Sequence, residues 1–331
     1  MRCFASAISF SLLPAILAMV FLTGCGDKND RASATQSAKG GVLEKIIGVN
    51  QYVQHPILDA VLKGFLDRLN GESGLRVVVK NSNGDALSCQ QINEQFVQSK
   101  VAVLVAFGTP AAQSAINVAG DIPVVFGAIT DPIGAKLADT LQRPGGKKTG
   151  TTNRWPFEDQ VALVRKVMPL AKRLGLVVNP GEANCEAGMA VIRAEAKKAG
   201  FEVIESPVAN SSEVRAAVES LRGKVDVMLV SPANTVFSAI DTLMGVAKEG
   251  GIPVFGGDET AVSRGSIATY GFSNAEVGRE TAEVVLRVLQ GNVPPGEIPV
   301  ARPPNAKLFV NAAAAAAAGV KLSAVGESEP R

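Results

Sequence analysis

Two sixteen-residue stretches, VAVLVAFGTPAAQSAI from Val101 and VDVMLVSPANTVFSAI from Val225, each open on an apolar run, interrupted in the second only by Asp226, and close on Ser-Ala-Ile. An apolar run without polar alternation, followed by a turn and a helical pattern, marks a strand covered by helices on both faces. Each copy is then followed by a glycine and an Ile-Pro-Val strand, in GDIPVVFGAITDP and GGIPVFGGDET. The same order of signals twice over confines the chain to an α/β fold with two units of similar build.

The surrounding segments obey the same grammar. Strands are expected at 45–49, 76–80, 101–107 and 122–126, and again at 174–178, 201–205, 225–230 and 252–255. Helical patterns lie between them. In the first helix, from Pro56 to Asn70, Ile57, Ala60, Val61, Gly64 and Phe65 fall on one stripe, and Pro56 suits the first helical position. Further helices are expected near 157–168, 184–199, 212–222 and 234–249. Gly150 to Asn153 and Ile267 to Phe272 are expected to carry the chain across between the units. The second crossing returns it so that a helix from Ala275 to Gln290 packs on the first. A short strand at 307–310 and an alanine run capped by Asn311 end the pattern.

The N-terminus has a different character. An apolar run from Phe10 to Phe21 follows Arg2 and ends at Leu22-Thr23-Gly24-Cys25. At about a dozen residues, the run is shorter than a membrane span and fits an export signal. The small residue before Cys25 fits cleavage there and lipidation of the new N-terminus; more than one acyl chain gives stable anchoring. The small polar segment after it reads as a tether. The expected organisation is a signal peptide over 1–24, a tether over 25–41, one lobe built from 42–150 plus 272–300, and another from 151–271 plus 301–331.

Composition narrows the function. Of four cysteines, Cys3 leaves with the signal and Cys25 is lipidated, so Cys89 and Cys185 remain as two separate thiols in different units. One histidine and no metal-ligand spacing argue against a metal site, and no cofactor is expected. A net charge of +2 with dispersed Lys and Arg gives no footprint for nucleic acid. No nucleophile elbow, Walker A sequence or dinucleotide fingerprint is present, so an enzyme is disfavoured.

Ligands of parallel α/β sheets bind beyond the carboxyl ends of the strands. Those ends carry Gln51, Tyr52 and His55 after the first strand, Thr109, Ala111 and Gln113 after the third, and Thr130 and Asp131 after the fourth. The crossover adds Asn153; the second unit adds Asn184, Asn234, Thr235 and Asp258. Hydroxyls and amides with few carboxylates suit hydrogen bonding to a small polar or zwitterionic molecule rather than turnover. Several also admit a purely local role. Thr109, Asn234 and Asp258 sit where helix caps belong, His55 precedes a helix start that favours its neutral ring, and Asp131-Pro132 is a turn sequence. Tyr52, Trp155 and Tyr270 all lie at cleft or crossover positions, suited to stacking on a flat ligand or to packing at a hinge.

QYVQHPILDAVLKGF, TPAAQSA, DIPVVFGAITDPIGA, NPGEAN, ANTV and IPVFGGDETAVSRGSIATYG together resemble the ABC-transporter substrate-binding lipoproteins of the tryptophan- and tyrosine-binding group, from about Ile46 to Gly319. The resemblance implies the type I periplasmic-binding-protein fold: two Rossmann-like parallel-sheet lobes joined by three crossovers, with a ligand trapped between them. It implies an amino acid ligand, with an aromatic one favoured, and partners in a permease and a separate ATPase. By position, Thr109, Ala111, Gln113 and Asn184 would serve the ligand carboxylate, Asn234 and Thr235 would line the opposite wall, and Asp258 would face its amino group. Asn153 and Ala233 stand where aspartate is common in such proteins, and Cys185 where serine is expected. A ligand-sensing module for a membrane receptor is the alternative use of such a fold.

Overall fold

The computed structural model describes residues 44–303 and 306–322. The export signal, the tether and Cys25 lie outside the described residues, so the structure does not bear on them. No helix among the described residues is long and apolar enough to cross a membrane.

The first sheet has five parallel strands: β1 (Lys45–Gln51), β2 (Leu75–Asn81), β3 (Val103–Phe107), β4 (Val124–Ile129) and β5 (Lys148–Thr152), in the order β2-β1-β3-β4-β5. Helices α1 (Pro56–Leu69), α2 (Ala86–Gln98) and α3 (Thr109–Val118) connect the first four. β3 and β4 are buried along their whole length, as their unbroken apolar runs require, and β1 is buried from Ile47 onward, polar Asn50 and Gln51 included. The second sheet repeats the plan with β6 (Arg173–Val178), β7 (Glu202–Pro207), β8 (Val227–Val230) and β9 (Val254–Gly256), in the order β7-β6-β8-β9. Its helices are α4 (Phe157–Val167), α5 (Ala183–Lys198), α6 (Val214–Leu221), α7 (Asn234–Ser238) and α8 (Ile240–Glu249). The repeated sequences thus become β3–α3 and β8–α7, each third in its sheet. The single helix expected over 234–249 is broken at Ala239, whose extended φ of −120° ends α7 before α8 begins.

The chain crosses between the lobes after β5, and again after β10 (Ala268–Gly271), which follows the short helix α9 (Glu259–Ser263). It crosses a third time between Ala301, which bridges Thr151 beside β5, and β11 (Lys307–Val310), which pairs antiparallel with β10. β5 spans the expected boundary at 150. The crossing after β10 leads into α10 (Asn274–Gln290), which lies along α1 in the first lobe. Two glycines set that contact. A Cβ on Gly64 would stand 2.1 Å from the Ala275 carbonyl oxygen, and one on Gly278 would stand 2.0 Å from that of Val61. The alanine helix α11 (Ala312–Ala317) closes the described chain, with Asn311 Oδ1 accepting from Ala314 N–H at 2.9 Å.

Cys89 and Cys185 are buried free thiols, one in each lobe, as expected. Burial raises both, pushing Cys185 up to about 12. Neither should take up iodoacetamide at neutral pH until denaturant is added, because the thiolate is the reactive form. Rapid labelling of either in the folded protein, followed by mass spectrometry, would contradict this placement.

Candidate functional site

The carboxyl ends of both sheets face one cleft, and its floor is assembled from both lobes. His55 Nδ1 caps α1 by accepting from Leu58 N–H at 3.3 Å, which leaves the ring proton on Nε2. His55 Nε2 then donates across the cleft to Asn234 Oδ1 at 3.2 Å. The histidine therefore serves both roles its position allowed, helix cap and cleft residue. Burial lowers its pKa, so the ring is neutral.

Around this bridge, Thr109 stands at the start of α3, and Thr130 follows a register shift in β4 where Ala128 takes a φ of +58°. That irregularity turns the chain out of the sheet toward the cleft. From the other side come Asn153 and Trp155 of the first crossing, Asn184 of α5, and Ala233 and Phe237 around α7. Trp155 packs edge-on against Phe237 at 5.6 Å between ring centroids and tilts against Phe157 at 5.9 Å. The space left between them is about 30 Å³, room for little more than water. A molecule of several heavy atoms therefore fits there only if the lining side chains shift.

No Asp, Glu, Lys or Arg lines this space. One layer behind it lies Glu182, which the sequence reading passed over although it sits inside NPGEAN. Its side chain is buried and accepts six hydrogen bonds. Oε2 takes Asn234 N–H at 2.7 Å, Asn234 Nδ2 at 2.8 Å and Asn184 Nδ2 at 3.1 Å. Oε1 takes Thr235 Oγ1 at 2.6 Å, Thr235 N–H at 2.8 Å and Asn179 Nδ2 at 3.4 Å. The group also caps the short α7 from outside its own helix, through the Asn234 and Thr235 N–H groups. Its position next to Asn184 was the only sequence signal for it.

Six of the expected site residues meet around the cleft floor: His55, Thr109, Thr130, Asn153, Asn184 and Asn234. The other seven have different surroundings. Gln51 Nε2 donates to Asp59 at 2.7 Å, and Tyr52 Oη donates to the Gly84 carbonyl at 2.9 Å while its ring flanks a groove shared with the 179–182 loop. Burial pushes the Tyr52 phenol up to about 12. Ala111 is wholly buried in the first lobe's core, and Gln113 donates to the Ala135 carbonyl at 3.1 Å. The Asp131 carboxylate closes its own turn by accepting from Ile133 and Gly134 N–H. Thr235 is held by Glu182. Asp258 caps α9, accepting from Thr260 and Ala261 N–H at 3.0 Å, and its other oxygen takes Asn274 Nδ2 at the second crossing. Asn184 also differs from the part the resemblance implies. Both its amide hydrogens are spent, on Pro232 O at 2.7 Å and on Glu182, so it can only accept from the cleft.

Two buried groups give the protein opposed pH dependences. Burial raises Asp258 from 3.8 to about 6, so its contribution to stability is full below 3.8 and is lost as pH rises through 6. His55 is lowered from 6.5, so its contribution is present above 6.5 and is lost on acidification. Between these limits the slopes oppose each other. His55→Gln should gain stability relative to wild type as pH falls, and Asp258→Asn should lose it, by urea denaturation across that range. Parallel profiles for all three proteins would rule out titration of these groups there.

The family model described as ABC transporter substrate binding protein matches residues 46–325. The chain belongs to that family. A protein named tyrosine-binding protein, from Clostridioides difficile, is 33% identical over 307 residues, 91% of this chain and 88% of that one. Among solved structures, an ABC domain in complex with L-Trp from Streptococcus pneumonia is 30% identical, covers 84% of this chain and 96% of that chain, and superposes with a TM-score of 0.80. The ligand-free, open structure of a substrate binding protein with adhesive properties from Clostridium difficile is 32% identical with 84% and 95% coverage, yet its TM-score is 0.63. At comparable identity and coverage, the chain as a whole superposes better on the tryptophan complex than on the ligand-free, open structure. The fold is the type I periplasmic-binding-protein fold, shared even with a solute binding protein only 16% identical. The family consists of substrate-binding proteins, not enzymes.

Proposed function

We propose that this substrate-binding protein traps an aromatic amino acid between its lobes and presents the closed form to the permease of an ABC importer. The observation that carries the reading is the cleft floor itself: Trp155 and Phe237 supply aromatic faces, neutral hydroxyls and amides supply the polar contacts, and His55 bridges to Asn234. The tyrosine-binding relative and the tryptophan complex support the ligand class. In this reading His55, Thr109, Thr130, Asn153, Asn184 and Asn234 meet the ligand, and the lobes run over 42–150 plus 272–300 and over 151–271 plus 301–331. A ligand that touches both lobes only when they are shut supplies the differential affinity that closure needs. Export to the outer face of a membrane and anchoring through acylated Cys25 complete the proposal, with the ATPase on a separate chain.

The test is a thermal-shift screen of the protein freed of its anchor, against the twenty amino acids. A ligand at a hundred times its dissociation constant adds about 2.7 kcal/mol, a rise of several degrees. Tryptophan or tyrosine should give it, and Thr109→Ala should reduce it without lowering the melting point of the free protein. A response to aliphatic or charged amino acids alone would defeat the aromatic assignment.

A further inference from the structure

Resting on that reading of the cleft, we infer that Glu182 is the countercharge for a ligand ammonium group, acting through the amides of Asn184 and Asn234 rather than by touching the ligand. The orientation of those amides follows from the six donors gathered on the carboxylate. Because Asn184 and Asn234 both point Nδ2 at Glu182, both turn Oδ1 toward the cleft. The Asn234 oxygen is met by His55. The Asn184 oxygen is buried without a partner, and so is that of Asn153 on the neighbouring crossing. Both residues are more than nine-tenths buried, at 6% and 8% exposure.

A buried carbonyl oxygen left alone has lost its water without a replacement, so the two, both lining the cleft floor, mark a place for an N–H donor. No Lys or Arg among the described residues pairs with Glu182; its charge is answered only by amide, hydroxyl and backbone dipoles. The side-chain amides of Asn184 and Asn234 have their positive ends on the carboxylate and their negative ends toward the cleft. Negative potential is thereby relayed to a wall that carries no acidic side chain of its own. The wall selects a cation with several N–H bonds, which is what a primary ammonium is. It disfavours a carboxylate, so the ligand's acid end belongs on the opposite side, among the hydroxyls of Thr109 and Thr130 and the N-terminus of α3. Glu182 is a positioning residue, and the preference for ammonium is its signature.

The experiment is isothermal titration of the protein with L-tryptophan, with tryptamine, which lacks the carboxylate, and with indole-3-propionate, which lacks the ammonium. Wild type should bind the two ammonium compounds more tightly than the acid. In Glu182→Gln, their affinity should fall by roughly tenfold to a hundredfold, and that of indole-3-propionate by less than about threefold. An equal loss for all three compounds, or a wild-type preference for the acid over the amine, would overturn the proposal. Because the glutamine amide faces three donors and can unfold the protein, Asn184→Leu provides a second arm. It removes one acceptor, leaves five donors on Glu182, and should show the same selective loss. If no indole compound binds, the aromatic reading fails by itself. The comparison is then made with L-leucine, 3-methylbutylamine and 4-methylpentanoate, and the absence of binding by every ammonium compound in both series would overturn the proposal too.

Discussion

Gly278→Val should leave most of the protein unfolded or aggregated when expressed, and any folded fraction should melt far below wild type. The reason is geometric. A Cβ at this position would stand 2.0 Å from a backbone oxygen of α1, and Gly64 makes the reciprocal approach from the other helix. Backbone cannot move aside as a flexible side chain can, so α1 and α10 would have to separate. The apolar face of α10, with Val277, Val284 and Val285 fully buried, would lift away with it. Overpacking in a core costs about 1–3 kcal/mol, and more where relaxation is blocked, against a total stability of roughly 5–15 kcal/mol. Gly278→Ala should be the milder variant while still clearly destabilised. Circular dichroism melting curves for the two, superimposable on wild type, would show that the helices are not held by this contact.

Trp155→Ala should lower stability by about 3–5 kcal/mol, a fall in melting temperature of roughly 10 °C for a chain of this size. Trp155 is 5% exposed and wedged against both Phe157 and Phe237. Its removal deletes a large apolar surface beside the cleft. Affinity for tryptophan should fall with it, because the same ring forms the cleft floor. Trp155→Phe should restore most of the stability. The two effects are read separately, by denaturant titration of the free protein and by calorimetry with ligand. A variant with wild-type stability and affinity would remove Trp155 from both the core and the site.

The parts of the molecule legible in the sequence are those written by local pattern. Unbroken runs such as Val103 to Phe107 could only be strands covered on both faces, and the matching runs at 101–116 and 225–240 announced two similar lobes. His55 was readable as a cap because Pro56 fixes where the helix begins. What escaped depends on residues far apart in the chain. Glu182 matters through Asn234 and Thr235, more than fifty positions away, and nothing local distinguishes it from a solvated loop glutamate. Phe237 was hidden inside a helical pattern whose break at Ala239 no glycine or proline announces. Asp258 reads from sequence as a cleft carboxylate, but its oxygens are taken up by the start of α9 and by Asn274. The shift in β4 that turns Thr130 outward rests on Ala128 adopting a backbone angle that sequence statistics reserve for other residues.

The return of the chain to lay α10 along α1 has a consequence for how the protein comes into being. The first half of the polypeptide supplies nearly all the strands of its own lobe but cannot supply the lid for one face. That lid is encoded some two hundred residues downstream of the surface it seals. A polypeptide emerging N-terminus first must carry an uncovered oily flank until Gln290 arrives, and any truncation before that point leaves the flank bare for good.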